Sequence, residues 1–484
     1  MYIKTSFNQI EFENFYLPFN GKLDSDNRWV KLSKFIPWDK IEEKYSRLFS
    51  ETKGAPAISV RVALGALVIK ERCGFTDEET VAQICENPYL QYFLGFEEYK
   101  STPPFDPSMM VHFRKRINLE MLKEVNEYVI ESHEKKADAK IPEATTADRE
   151  DESSINEKKE NDGLLILDAT CAPADIRYPT DISLLNEARE KLEKLIDKIY
   201  GYSKKSFKKP RTYRKIARKK FLAFIGKKKP TAKEVRKTLK NQLQFVSRNL
   251  KHIEKLVSDN SGILLRIKRK EYKDLLVIHE LYRQQQEMLD ERKHRVDCRI
   301  VSISQPHVRP IVRGKASAKV EFGAKITVSL KDGFSRLEKH SWENFNESTL
   351  LQDHVNDYHK IHGVYPEVIA ADKIYHTKAN KLFCKEFRIN MTQGVIPVVS
   401  GDDISCRKSV RNHIEGKFGE GKRKYGLARI MAKLDITSKS VVGIILLTMN
   451  LEKKLRLLLD NFLLRLFSGS GILKVSRFQP FYSE

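Results

Sequence analysis

Two apolar runs, LLIL at 164–167 and VIAA at 368–371, each close on an aspartate, Asp168 and Asp372. Both are short, continuous and free of charge, the pattern of strands buried on two faces rather than one. Such strands place this chain among mixed α/β folds. A carboxylate that closes a buried strand sits where core gives way to surface, a rigid mount for a metal ligand.

A third stretch, SVRNHIEGKFGEGKRKYGLARI at 409–430, carries Arg411, Glu415 and Lys422 in the spacing R-x3-E-x6-K. At about 100° per residue these three fall within roughly 40° of one helix face. An acid flanked by two bases suits a site that holds a metal and a phosphodiester together. The spacing alone fits a solvated charged helix better than a site; the two aspartate-closed strands are what reverse that weighing. Ser409 is the expected N-cap. Gly416, Gly419 and Gly421 weaken the helix, or let backbone approach a ligand. Three carboxylates on rigid elements can hold two divalent cations, and Mg²⁺ prefers such oxygen ligands.

Charge narrows the partners. Lys and Arg number 88 against 65 Asp and Glu, a formal net charge of +23 over 484 residues. The excess favours a polyanion: DNA, RNA or an anionic membrane surface. No apolar run reaches the roughly 18 residues of a membrane span; the nearest, 441–449, is followed by Glu452, Lys453 and Lys454. The first residues lack a basic start leading into an apolar core, so no secretory signal is expected. Six scattered cysteines without a CxxC pair fit a reducing, cytoplasmic setting and offer no zinc site.

Along the chain, residues 1–133 read as an all-α domain. A helix is expected over 57–72, and Thr76 opens a second that stops at Asn87-Pro88. Ser108 is the expected cap of a basic helix with Met110, Phe113 and Ile117 as its buried stripe. Its Arg114, Lys115 and Arg116 resemble the basic end of a helix-turn-helix DNA reader, or a solvated end of an ordinary bundle. Residues 134–162 are charged and polar with few aliphatics and read as a disordered linker. The α/β domain then spans 163–467, interrupted by a helical insertion over 183–293. In that insertion Leu184, Leu185, Ala188, Leu192, Leu195, Ile196 and Ile199 form one stripe. Thr231 opens another helix. Residues 203–229 interleave many cations with aromatics, which suits phosphate contact with packing or stacking. Strands are expected over 296–304, 317–330 and 335–342, with Lys331-Asp332-Gly333 as a hairpin turn. Ser348 or Thr349 opens a helix to about 362, and a long amphipathic helix over 438–467 precedes a tail at 468–484.

The motifs LLILDATCAPADIRYPTD, VIAADKIYHTK and RNHIEGKFGEGKRKYGLARI resemble those of bacterial insertion-sequence DDE transposases of the IS-four/IS-five kind. That resemblance implies a ribonuclease-H-like catalytic core. It implies Asp168, Asp372 and Glu415 as catalytic metal ligands for two Mg²⁺ ions, with Mn²⁺ as a substitute. It also implies Arg411 and Lys422 as DNA contacts. Lys408 departs from the tyrosine of the family signature, and Ile374 stands where a small residue is common. The implied reaction cleaves the element's ends and transfers the freed 3′-OH into target DNA, by a homodimer on double-stranded DNA, without a covalent protein–DNA intermediate. Two other readings keep the same residues: a metal-dependent nuclease that cuts without joining, and a DNA-binding protein with a decayed site.

Overall fold

The structure is a computed structural model that describes residue 2 and residues 14–50, 53–138, 161–202, 208–259, 261–312, 320–393 and 410–469. Most of the expected linker (139–160), the tail after 469, Ser409 and Lys408 lie outside the described residues. The chain divides into two compact units. The first comprises Met1–Ala172, Ile326–His340 and Asn346–Glu484; the second comprises Pro173–Lys325 and Ser341–Phe345.

Among its described residues the first unit begins with the α-helices α1 (Arg28–Ser33), α2 (Trp38–Ser46), α3 (Val60–Cys73), α4 (Asp77–Glu86), α5 (Pro88–Phe93), α6 (Met109–Arg116) and α7 (Leu119–Asp138). Their starts follow local chemistry. The Ser59 hydroxyl accepts from the Val62 main-chain N–H and begins α3 three residues later than the sequence suggested. The Thr76 hydroxyl accepts from Glu79 N–H and begins α4, each side chain satisfying a donor the helix cannot. Ser108 does not cap α6; Asp106 does the local work, accepting from Ser108 N–H at 2.9 Å. Met110, Phe113 and Ile117 are fully buried as the stripe required. Helix α7 runs five residues into the stretch that composition marked as linker.

Strand β1 (Leu164–Pro173) leads into the second unit, which holds α8 (Asp181–Tyr202), α9 (Arg214–Ile225), α10 (Ala232–Ser258), α11 (Arg269–Asp290) and β2 (Arg309–Val312). The seven apolar positions of α8 are all buried. They meet Leu243, Val246 and Ile253 of α10 and Ile278 and Leu281 of α11 in one cluster. Thr231 and Glu234 form a reciprocal capping box at the start of α10. Residues 296–304 form no strand; Cys298 adopts a positive φ of 52°, which breaks an extended run. Strand β2, which the sequence pattern did not mark, pairs antiparallel with the start of β3 (Val320–Lys331).

Back in the first unit, β3 turns into β4 (Phe334–Ser341) through Asp332 and Gly333, both at positive φ. That is the type I′ geometry a two-residue hairpin needs. Then follow α12 (Leu351–His362), β5 (Val368–Ala371), α13 (Lys378–Glu386), β6 (Asn390–Thr392), α14 (Asn412–Lys424) and α15 (Asp435–Gly469). Asn346, not Ser348 or Thr349, accepts the first free N–H ahead of α12. The sheet order is β2-β3-β1-β5-β6, with β4 paired to β3. The fold is mixed α/β with a helical N-terminal region.

Helix α15 is buried all round its middle. Ile444, Leu447 and Leu451 join the core of the N-terminal helices, while Val441, Val442, Ile445, Leu446 and Met449 join the core beneath the sheet. Asn450, fully buried, fixes its rotation. Its Nδ2 donates to Asn126 Oδ1 and Ser335 O, both at 2.8 Å. Its Oδ1 accepts from Ser335 N–H at 2.9 Å and Ser335 Oγ at 3.0 Å. One amide thereby ties α15 to α7 and β4. Among the described residues no helix is long and apolar enough to cross a membrane.

Because Asn450→Ala leaves a buried main-chain N–H and a hydroxyl without partners, it should cost about 2–4 kcal/mol. The urea midpoint of the transition that unfolds α15 checks this, and an unchanged midpoint would remove Asn450 from the lock.

Candidate active site

Strands β1 and β5 pair in parallel, with Leu164 opposite Val368 and Leu167 opposite Ala371. One step further brings Asp168 alongside Asp372. Side chains alternate across the sheet. Leu165, Leu167, Ile369 and Ala371 pack into the cluster that holds α12 residues Leu351 and Val355. Ile166 and Ala370 pack on the opposite face, with Ile414 and Phe418 of α14. Asp168 and Asp372 continue this second set, so both aspartates fall on the face that α14 covers. Asp168 does not end its strand, since β1 runs on to Pro173; what ends beside it is β5.

Helix α14 forms in spite of its three glycines because Ile414 and Phe418 anchor it to the sheet core. Arg411, at its N-terminal edge, reaches both neighbouring acids. Nη1 donates to Asp372 Oδ1 at 3.1 Å, and Nη2 lies 3.5 Å from Glu415 Oε1. Arg411 Nε is buried and has no hydrogen-bond partner among the described residues. Glu415 and Asp372 face solvent, with side chains 57% and 43% exposed, whereas Asp168 is half-buried. Lys422 is half-buried two turns further along the helix.

Burial lifts the Asp168 carboxyl to about 6. A hydrogen bond from Ala169 N–H, at 2.8 Å, and the charge of Arg411 oppose the rise; the charges of Glu347 and Asp372 add to it. Two groups near the site escaped the sequence reading. Glu347 lies in a single turn ahead of α12 and looked like an ordinary first-turn acid. Tyr375, three residues after Asp372, is fully buried with a hydroxyl that has no partner among the described residues. Its pKa is raised first by burial, then by the charges of Glu347, Asp168 and Asp372. Asn380 Nδ2 donates to both Ser348 O and Tyr375 O, holding these two turns together.

The donor set is all carboxylate oxygen, the chemistry that Mg²⁺ takes. Among the described residues, no three Asp, Glu, His or Cys side chains already stand as a ready cage for an ion. Asp168 and Asp372 are brought side by side by the sheet, and Glu415 is joined to Asp372 through Arg411.

Residues 18–116 match a family model described as Transposase domain (DUF772), and residues 369–452 match one described as Transposase DDE domain. The chain belongs to the insertion-sequence DDE transposases. Asp372, Arg411, Glu415 and Lys422 lie within the second match, Arg114, Lys115 and Arg116 within the first, and Asp168 outside both. The transposase is also 31% identical over 163 residues to a Rhizobium meliloti protein described as uncharacterized protein ORF8 in nfe locus. That stretch covers 34% of this chain and 70% of the relative. No solved structure matches the chain. Membership implies action on DNA and use of a divalent metal.

The basic end of α6 divides on inspection. Arg114 turns inward and makes a two-pronged pair with Asp77, at 2.9 and 2.5 Å. Arg116 is half-buried over the Phe49 ring, 4.7 Å from its centroid. Lys115 is exposed.

The folded chain holds the Asp168 proton more tightly than the unfolded chain, where the group titrates near its ordinary 3.8. Stability from that proton is complete below pH 4 and is lost as pH rises through about 6. Asp168→Asn should therefore be more stable than the wild type at pH 8 without divalent ions, by about 1–3 kcal/mol. The gain should vanish by pH 4. Thermal melts at both pH values check this, and a variant no more stable at pH 8 would overturn it.

Proposed function

We propose that this transposase cleaves DNA at the ends of its element and transfers the 3′-OH into target DNA, using Asp168, Asp372 and Glu415 as its catalytic metal ligands. The observation that carries the reading is the parallel β1–β5 register. It delivers two carboxylates to the sheet face under α14, and Arg411, just ahead of that helix, links one of them, Asp372, to a third, Glu415. Two Mg²⁺ ions, when bound there, would activate the attacking oxygen and stabilise the leaving one. Asp168 supplies the rigid, half-buried ligand; Asp372 and Glu415 supply solvent-facing ones. Arg411 balances the carboxylates' mutual repulsion and, with Lys422, holds the phosphodiester of the bound end.

The central strand order, with β1 between β3 and the parallel pair β5-β6, supports a ribonuclease-H-like core. The R-x3-E-x6-K spacing supports the IS-four/IS-five kind. The N-terminal helices, with Lys115 exposed, act as a DNA-binding domain, and the protein works as a homodimer on double-stranded DNA.

The test is a strand-transfer assay with a pre-cleaved 3′-OH end, supercoiled plasmid and Mg²⁺. Asp372→Asn and Glu415→Gln should each lower cleavage and joining by about 10²–10³-fold or more, the size expected when a charge-stabilising group is removed. DNA binding in the absence of metal should persist. Cleavage without any joining by the wild type would replace the transposition reaction with that of a nuclease. Unchanged activity of either variant would remove that residue from the site.

A further inference from the structure

The second unit contains a helical pair that its own core does not explain. Helix α9 buries one side chain, Ala217. Helix α10 is 27 residues long, about 40 Å, but its first ten residues bury none; its buried positions begin at Gln242. Phe221, Phe224, Val235 and Leu239 are half-buried, so α9 and the first part of α10 have a thin apolar seam outside the α8–α10–α11 core. A pair of helices with so little burial gains little stability from being there.

Its surface is strongly cationic. Residues 215–240 hold eleven Lys and Arg, among them Lys219, Lys220, Lys228, Lys229 and Lys237, against a single acid, Glu234. All eleven cations are exposed. Among the described residues, Lys227 alone of the eleven has a carboxylate partner, Glu234. This segment therefore carries +10 of the chain's +23. Nearer the core the picture reverses. Arg214 and Lys209 both pair with Asp197, at 2.8 and 2.7 Å, so the lower part of the basic cluster is structural. The aromatics Phe221 and Phe224 lie in the seam, and the exposed Tyr213 has the Arg248 guanidinium over its ring, 4.7 Å from the centroid. They do not present a row of free faces on which bases could stack.

We propose that α9 and the first part of α10 form an arm that grips the phosphate backbone of double-stranded DNA without reading its sequence. This rests on the reading of the chain as a DNA-processing enzyme and adds a binding surface separate from Asp168, Asp372, Glu415 and the α6 end. The charge density fits. Duplex DNA carries one charge per about 1.7 Å, so an arm 15–18 Å long meets roughly ten phosphates, about half of them on the near side. Electrostatic contact of this kind shows in the salt dependence of binding.

The experiment uses the full chain in EDTA, so that no DNA is cut, and a fluorescent 30-bp duplex of arbitrary sequence titrated from 50 to 200 mM KCl. Changing Lys219, Lys220, Lys228, Lys229 and Lys237 together to Gln should flatten the slope of log K against log salt by about 3–4. Affinity at 100 mM KCl should fall more than tenfold. The same five positions changed to Arg should keep the wild-type slope, which separates charge from misfolding. A control set on the same unit, Lys251, Lys255, Lys270 and Lys273 to Gln, should move the slope by less than about 1. An equal effect from both sets would overturn the arm, leaving only net charge. An unchanged slope together with a loss of self-association would also overturn it, making the pair a contact between copies. If the wild type still cuts DNA with Mg²⁺ in either case, the arm alone fails. If it neither binds nor cuts duplex DNA, the functional reading fails with it.

Discussion

Everything at the site depends on the register of one parallel strand pair. With Leu167 opposite Ala371, both aspartates fall one step beyond the last paired residues and on the same face. A slip of one residue in either strand would send its aspartate toward the α12 side of the sheet and its apolar set to the wrong core. Such a slip is resisted because both faces are packed. Leu165, Leu167, Ile369 and Ala371 fill one core, and Ile166 and Ala370 the other. The apolar alternation that stabilises the sheet is therefore also what aligns the carboxylates.

That arrangement has an electrostatic cost, visible in Asp168. A half-buried carboxylate beside Asp372 and Glu347 prefers its proton, and its pKa rises to about 6. Arg411 offsets part of this, bonding Asp372 and lying beside Glu415. It does so at the edge of solvent, where such pairs are worth little in stability. Its value is positional. One guanidinium bonds Asp372 and stands 3.5 Å from Glu415, bridging the end of a strand and the start of a helix.

Much of this was legible in the sequence, and the rest was not for identifiable reasons. Thr76 and Thr231 cap the helices the sequence assigned to them, because a hydroxyl three residues before a free N–H acts locally. The α8 stripe was legible because burial follows a period of 3.6. Asp168 looked like the end of a strand because charge interrupts apolar runs, but the strand continues to Pro173 with β3 as its neighbour. The pairing of Arg114 with Asp77 was not legible because the two are 37 residues apart. Glu347 reaches the site only through tertiary packing and had no local signal, whereas Tyr375 follows Asp372 by three residues and only its burial was not legible.

The glycines of α14 show how far internal packing accounts for this segment. At Gly421 a Cβ would stand 3.2 Å from both Leu427 and the Met449 sulfur of α15, so the close approach of the two helices favours glycine there. Gly416 and Gly419 differ. A Cβ at either would meet nothing within 4 Å, yet each glycine costs the helix up to about 1 kcal/mol relative to alanine. No contact within the described chain repays that. Gly416 follows Glu415 directly and Gly419 lies one helical turn beyond it. Under the proposed function, that is where a DNA backbone must come close to the carboxylates, and the unmet cost is consistent with a partner outside the chain.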